Sequence, residues 1–206
     1  MAQSHPSIKS HPPILLASGS LVRANLLRGA GVIFGVENSR VDEDAIKERF
    51  ANSNVDALAT LLAEAKALAV SKDNPAALVI GADQILSCNG GRFDKPRDMA
   101  EARANLQKFR GTSHRLHSGI VIAENERIIW RHSDHADLTM RPFSDAFLDE
   151  YLTAVGDKVL TSVGCYQLEG AGIQLFEKIT GDYFTILGLP LLPLLAELRA
   201  RGVVSA

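Results

Sequence analysis

Cysteine and long apolar runs are scarce in this chain. Its two cysteines, Cys88 and Cys165, form neither a CxxC pair nor a metal-ligand spacing, which predicts reduced, packed thiols rather than a disulfide framework. No apolar run approaches the ~20 residues that a membrane-spanning helix needs, so no membrane partner is expected. Residues 1–12 are rich in serine, histidine and proline and lack the apolar core of a signal peptide, which predicts a disordered extension and a cytoplasmic protein.

Neither sign of charge is in large excess. Lysine and arginine total 22 against 24 acidic residues, which argues against a nucleic acid polymer as partner but allows a local cationic pocket. The 206 residues can bury a substantial core, so intrinsic disorder is excluded for the body of the chain. The motifs GxxxxGKS/T, HExxH and GxSxG are absent, which removes the enzyme classes that they mark.

Apolar runs alternate with helical repeats along the chain. Helices are expected after Ser20, from Val55, after Asp98, after Ser144 and from Pro190. Strands are expected at 13–18, 34–41, 76–80, 116–123, 127–140 and 173–176. Interleaved helices and strands predict an α/β fold with a mixed sheet, and residues 13–206 are expected to form a single domain.

A serine-rich junction joins the first predicted strand to the first predicted helix. Ser18 and Ser20 flank a glycine, and Arg23 follows within the first helical turn. Helix N-termini offer unpaired N–H groups, and an arginine fork matches phosphate oxygens. The junction indicates a phosphate site, and the alternative is a capped helix with a surface arginine.

Three further charged residues lie beside apolar segments. Asp83 follows an apolar strand and two small residues, at the kind of strand end where open α/β sheets bind ligands; alternatively, loop amides satisfy its carboxylate. Lys66 lies on the flank of an apolar helical stripe, and Lys95 precedes a proline that stiffens the backbone. Either lysine could reach into a cleft, although each taken alone favours a solvated position.

Other acidic residues and histidines leave alternatives open. Glu169 lies in a glycine-containing loop that could be a plain turn or could bring a carboxylate to a flat base. Asp42 and Glu43 could cap a helix or bind a metal. His114 and His117 lie three apart on a predicted strand, so they are expected on opposite faces and in structural roles.

Taken together, these motifs resemble the Maf family of nucleoside triphosphate pyrophosphatases, from about Ile14 to Arg201. Several separate motifs in the family's order make the resemblance specific. They are Leu16–Ser20 with Arg23, Lys66-Ala67, Gly81–Gln84, Lys95-Pro96, and Gly181–Tyr183 followed by Gly188–Leu191. The resemblance implies an elongated mixed sheet flanked by helices, similar to that of inosine triphosphatases, around a deep central cleft.

The resemblance also implies a reaction and its residues. A nucleotide would be hydrolysed to its monophosphate and pyrophosphate with a divalent cation, Mg²⁺ or Mn²⁺, and the family likeness allows a homodimer. The residues that would hold the substrate phosphates and offset their charge are Ser18, Ser20, Arg23, Lys66 and Lys95. Asp83 would orient or deprotonate the attacking water and would hold the metal together with Glu43.

Two branches of the family differ in the base that they accept. One prefers thymidine and uridine triphosphates, and the other resembles 7-methyl-GTP pyrophosphatases. Gln84 and the segment Glu169–Glu177 match the second branch, whose tryptophan is replaced here by Val22. Because a carboxylate at Glu169 can accept from guanine N1–H and N2–H₂ together, 7-methyl-GTP is expected rather than dTTP or UTP. Outside enzymes, the alternative is a non-catalytic nucleotide-binding regulator of septum formation.

Overall fold

The computed structural model describes residues 11–205, which build a seven-stranded mixed sheet. The strands are β1 (Ile14–Leu16), β2 (Gly35–Val36), β3 (Leu78–Cys88), β4 (Gly91–Phe93), β5 (Ser113–Glu124), β6 (Arg127–Met140) and β7 (Phe176–Thr180). Their order is β2-β1-β3-β5-β6-β7, and β4 pairs with the end of β3. β1 is parallel to both of its neighbours and the other pairs are antiparallel, which confirms the predicted mixed α/β sheet.

Helices flank this sheet and begin where capping residues predict. They are α1 (Leu21–Gly29), α2 (Glu43–Arg49), α3 (Val55–Asp73), α4 (Met99–Phe109), α5 (Asp145–Val155), α6 (Tyr183–Ile186) and α7 (Leu191–Ala200), with 3₁₀ helices at Gly156–Thr161 and Ala171–Leu175. Side-chain oxygens of Ser20, Asp98 and Ser144 accept hydrogen bonds from the first turns of α1, α4 and α5. The helix starts predicted at these three residues are confirmed.

The position predicted for Asp83 is wrong. Antiparallel pairing with β5 carries β3 on to Cys88, so Asp83 lies inside a strand rather than at its end. The parallel partner β1 stops opposite Ile80, and β4 pairs only from Leu86 onward. The sheet therefore leaves the edge of β3 open beside Asp83. This gap leaves the space for a ligand that a position at the end of a strand was expected to provide.

Two other segments differ from the sequence prediction. The strand expected at 173–176 is a 3₁₀ helix as far as Leu175, and the strand begins only at Phe176. Helix α2 was expected only as one of two alternatives for Asp42 and Glu43, and the capping alternative is confirmed for Asp42, whose carboxylate accepts from the Ala45 N–H. The extension predicted at 1–12 lies, apart from residues 11 and 12, outside the described residues.

Close packing of α3 on the sheet decides which side chains meet. A Cβ added to Gly81 would lie 2.2 Å from the Ala63 carbonyl oxygen, and one added to Gly119 would lie 2.6 Å from the Ala59 carbonyl carbon. Only glycine allows this approach. Asp83 shares a sheet face with Gly81, and Lys66 follows Ala63 by one helical turn, so the packing brings Lys66 over Asp83.

Buried apolar side chains form a large cluster on each side of this region. One cluster joins α4 and α5 to β6 through residues such as Leu106 and Leu138, and the other joins α1 and α7 to β1 and β3 through residues such as Leu27 and Leu194. Cys88 and Cys165 are buried free thiols, as predicted.

The two histidines of β5 lie on opposite faces of the sheet, as predicted. His114 bonds to the Tyr166 hydroxyl, whereas His117 bonds to Asp56 on α3 and to Ser87. In the described part of the chain, no helix is both long and apolar enough to cross a bilayer.

Candidate active site

A cleft of about 830 Å³ opens between the two clusters at the free edge of β3. Its walls come from the start of α1, from α2 and α3, from the segment after β4, and from residues 161–169. Every site residue predicted from the sequence lines it: Ser18, Ser20, Val22, Arg23, Glu43, Lys66, Asp83, Gln84, Lys95 and Glu169. The fold thus collects into one cavity residues that are spread over 150 positions of sequence, from residue 18 to residue 169.

A buried lysine between two carboxylates forms the floor of the cleft. Lys66 Nζ lies 2.5 Å from Asp83 Oδ1 and 2.8 Å from Glu43 Oε1. Lys66 and Asp83 are only 7% and 6% exposed. The solvated position that Lys66 favours on spacing alone is therefore wrong, because α3 packs that helix face onto β3.

Arg23 is fixed by three hydrogen bonds to the cleft wall. Its Nε donates to the Gly188 carbonyl at 2.8 Å, and its Nη1 donates to Ser18 Oγ at 3.0 Å and to the Ala82 carbonyl at 2.9 Å. The last of these carbonyls lies on the open edge of β3. Burial lowers the pKa of Arg23, while the carboxylates of Asp83 and Glu43 oppose that shift. The surface-arginine alternative is wrong, and among the described residues no acceptor bonds to Nη2, which can still donate to a ligand.

The serines complete this corner of the cleft. Ser20 Oγ accepts from the Arg23 N–H at 3.4 Å, and the Ser20 N–H donates to Ser18 Oγ at 3.3 Å. The capped helix of the alternative is confirmed, because Ser20 caps α1, and the same turn lies beside the half-buried Arg23 guanidinium.

Lys95 adds a further positive charge to the cleft. Partial desolvation lowers its pKa, and the positive charges of Arg23 and Lys66 lower it further. Such a cluster of three cations attracts a polyanion. Asp94, which precedes Lys95 in the chain, accepts a hydrogen bond from Lys47 Nζ at 2.6 Å, and this bond joins the segment after β4 to α2.

Lys47 and Asp94 were missed by the sequence reasoning, as were Arg97 and Glu101, which also line the cleft. A signal for Lys47 was present. It follows Glu43 by four residues, so a helix started by Asp42 places both side chains on one face.

The residues predicted to recognise the base, Val22, Gln84 and Glu169, also line the cleft. Glu169 is exposed to the cavity and Val22 is half-buried. The amide nitrogen of Gln84 donates to Ser118 Oγ at 3.1 Å and to the carbonyls of Thr185 and Ile186 at 2.9 and 3.1 Å. Gln84 therefore ties β3 to the end of α6, which forms part of the cleft wall.

The carboxylates on the cleft floor fit a hard divalent cation. Among the described residues no group of three or more metal-binding side chains occurs, but Asp83 and Glu43 converge on one point, that of Lys66 Nζ. Mg²⁺ is commonly bound through one or two carboxylates together with substrate phosphates. The two acidic side chains are thus suited to an ion that the substrate helps to hold.

Comparison with known proteins agrees with the motifs. A protein from Brucella suis named 7-methyl-GTP pyrophosphatase is 52% identical over 93% of this chain and 98% of its own length. A Rhizobium meliloti protein of the same name is 49% identical over 95% and 99%. A Paramagnetospirillum magneticum protein named nucleoside triphosphate pyrophosphatase is 52% identical over 91% and 98%.

The family profile matches nearly the whole chain, whereas the similarity to a solved structure covers only part of it. A solved structure of a HAM1 protein from Coxiella burnetii, 16% identical, covers 64% of this chain and 74% of its own chain with a TM-score of 0.38, too low to carry an argument. The profile described as Maf-like protein matches residues 13–201, the span that holds the sheet and every residue of the cleft named above. The chain belongs to the Maf family.

Proposed function

We propose that this chain hydrolyses a nucleoside triphosphate to the nucleoside monophosphate and pyrophosphate. The observation that carries the proposal is the buried pair of Lys66 and Asp83, which the half-buried Glu43 joins, with Arg23 and Lys95 in the same cleft. Binding alone does not need a carboxylate held beside the phosphate site. The names of relatives about 50% identical support the same activity.

The cations and serines hold the triphosphate. Arg23 offers its free Nη2, Lys95 offers an ammonium, and the turn from Ser18 to Ser20 offers hydroxyl and N–H donors. Preorganised donors of this kind stabilise the charge that develops during phosphoryl transfer without reorganising. A divalent cation held by Glu43 and Asp83 would supply further neutralisation of the phosphate oxygens.

Asp83 accepts a proton from the attacking water. Its Oδ1 is held by Lys66, whereas no hydrogen bond from the described residues occupies Oδ2, which can accept a proton from water. The water oxygen bonds to the α-phosphorus, the bond from that phosphorus to the α–β bridging oxygen breaks, and pyrophosphate leaves. One proton is released overall, first to Asp83 and then to solvent.

For the base, we propose 7-methylguanine. Glu169 faces the cavity with two acceptor oxygens, which match the N1–H and N2–H₂ of a guanine edge, whereas uracil and thymine offer one N–H between two carbonyls. Hydrogen bonds to a charged partner contribute about 1.5–3 kcal/mol each. Six relatives named 7-methyl-GTP pyrophosphatase support this choice, being 47–52% identical to the chain over 93–95% of its length.

The test compares kcat/KM for 7-methyl-GTP, GTP, dTTP and UTP with Mg²⁺ or Mn²⁺, in wild type and in Glu169→Gln. We expect 7-methyl-GTP to be preferred and the preference over dTTP and UTP to shrink in the variant. A preference for dTTP or UTP in wild type contradicts the base assignment. Nucleotide binding without hydrolysis under either metal contradicts the activity and favours a regulatory protein.

Two accompanying properties are part of the proposal. We place the enzyme in the cytoplasm, since the buried thiols of Cys88 and Cys165 are free and a reducing compartment keeps them so. Assembly into a homodimer, which the family likeness allows, is tested by light scattering.

A further inference from the structure

The wall that carries Glu169 has little regular structure of its own. It runs from Ser162, directly after the first 3₁₀ helix, to Gly172 at the start of the second, and is called here the base loop. Val163, Gln167 and Glu169 of this loop line the cleft. A carboxylate on an irregular segment can recognise a base only if contacts with the rest of the protein fix the segment.

Cys165, Tyr166 and Leu168 of the base loop are buried in the core cluster that joins α4 and α5 to β6, and Tyr166, the largest of the three, also borders the cleft. Tyr166 is 5% exposed. Its ring packs edge-on against Phe176 of β7, with ring centres 4.7 Å apart, and its hydroxyl lies 2.8 Å from His114 Nε2 on β5. Tyr166 thus connects the base loop to two strands of the sheet.

The rest of the base loop is wrapped around this ring. A Cβ added to Gly164 would lie 2.2 Å from Cε1 of the Tyr166 ring, and one added to Gly172 would lie 2.9 Å from its Cβ. Ser162 Oγ donates to the Tyr166 carbonyl at 2.6 Å and accepts from the Tyr166 N–H at 3.0 Å. The loop therefore closes on both sides of Tyr166, three residues before Glu169.

We infer that Tyr166 is a positioning residue for base recognition, which holds the base loop and thereby aims Glu169. The inference rests on the proposed function. A two-acceptor contact with a guanine edge needs side chains held within about 0.5 Å, and packing around the ring supplies that rigidity. The phosphate end of the cleft is built on α1, α3 and β3 and does not depend on this loop. Loosening the loop should therefore change which base is preferred and leave phosphate chemistry intact.

Two variants loosen the base loop by different means. Tyr166→Leu removes the ring. Gly164→Ala keeps the whole core but places a methyl group where the ring lies, and its backbone is outside the left-handed region, so the clash is the main effect. Tyr166→Phe keeps the ring and serves as the conservative replacement. Phe143→Leu is the matched control, because Phe143 is a 4% exposed ring of the same core cluster that lies outside the loop.

The measurement is kcat/KM for 7-methyl-GTP and for UTP, at a temperature below the Tm of every variant. We expect the ratio of the two to fall about tenfold in Tyr166→Leu and in Gly164→Ala, the equivalent of one weakened charged hydrogen bond. The loss should appear in KM for 7-methyl-GTP, with kcat on UTP nearly unchanged. Tyr166→Phe and Phe143→Leu should keep the wild-type ratio.

The outcomes separate this inference from the proposed function. If wild type prefers 7-methyl-GTP and Gly164→Ala keeps that preference, the inference is overturned and the function stands; Gly164→Ala decides even where Tyr166→Leu does not fold. An equal fall in Phe143→Leu also overturns the inference, since general softening of the core would then be the cause. If wild type prefers UTP, the base assignment in the proposed function fails, and if it cleaves neither nucleotide, the proposed activity itself fails.

Discussion

Asp83 is the residue on which the proposed chemistry depends most. Asp83→Asn keeps the size of the side chain and removes the proton acceptor, so we expect kcat to fall by about 10²–10⁴. Nucleotide binding, measured by calorimetry, should persist because the cations of the cleft are untouched. The matched control is Asp94→Asn, which removes a carboxylate paired with Lys47 at the same cleft and should leave kcat within a few-fold. More than a tenth of wild-type turnover in Asp83→Asn would contradict the role of Asp83.

His114 links stability to pH. Burial lowers its pKa from 6.5 to about 4, so the folded protein holds this side chain neutral. Its contribution to stability is full above pH 6.5 and is lost as the pH falls towards 4, because the unfolded chain then binds the proton more readily. The loss amounts to about 3 kcal/mol.

The measurement for His114 is urea unfolding of wild type and His114→Gln at several pH values. The difference in unfolding free energy between the two should be largest near pH 7 and should shrink as the pH falls to about 4. A difference that does not change with pH would show that His114 is not the titrating group.

Residue identities could be predicted better than residue environments. The motifs name ten residues that line the cleft, yet spacing alone favours a solvated Lys66 and a surface arginine as the alternative for Arg23. Lys66 is buried and Arg23 is half-buried because other elements supply their partners. β3 supplies Asp83 for Lys66, and the segment after α6 supplies the Gly188 carbonyl for Arg23. Those pairings are long-range, and a local pattern does not contain them.

The contact of α3 with β3 is the element-scale feature that builds the cleft floor. Gly81→Ala places a methyl group 2.2 Å from the Ala63 carbonyl, so the helix must move away and carry Lys66 with it. We expect a loss of about 1–3 kcal/mol in stability together with a large loss of activity.

The control for Gly81→Ala is Gly29→Ala at the end of α1, where the added methyl group meets nothing within 4 Å. Its stability should be unchanged or slightly higher, since alanine restricts the unfolded chain. The stability of the two variants is compared by thermal unfolding, and their activity is compared by kcat. Equal behaviour of the two variants would mean that the close approach of α3 is not required.

Elements with strong local signals could be predicted, and weak ones could not. Helix α3 and the β5–β6 hairpin have long periodic patterns and appear as expected. The strand-end position predicted for Asp83 was wrong, because pairing with β5 continues past the small residues around Asp83. The strand expected at 173–176 failed because Gly172 packs against the backbone of Gln167 and the chain turns there as a 3₁₀ helix.

At the scale of the whole molecule, the net charge is −2, and the cleft brings cationic side chains together among carboxylates. Arg23, Lys66 and Lys95 face one cavity, so the attraction of a triphosphate should depend on ionic strength. We expect KM to rise several-fold between about 0.05 and 0.5 M KCl, with little change in kcat. A neutral osmolyte at matched osmolality is the control. A KM that does not respond to salt would contradict electrostatic binding by this cluster.

The central claim is that water attacks the α-phosphorus beside Asp83, while the base is held at the Glu169 end of the cleft. Hydrolysis of the preferred triphosphate in ¹⁸O-labelled water, followed by mass spectrometry of both products, tests it most directly. We predict equal amounts of nucleoside monophosphate and pyrophosphate, with the label in the monophosphate alone. Label in pyrophosphate, or formation of nucleoside diphosphate and orthophosphate, would contradict the account.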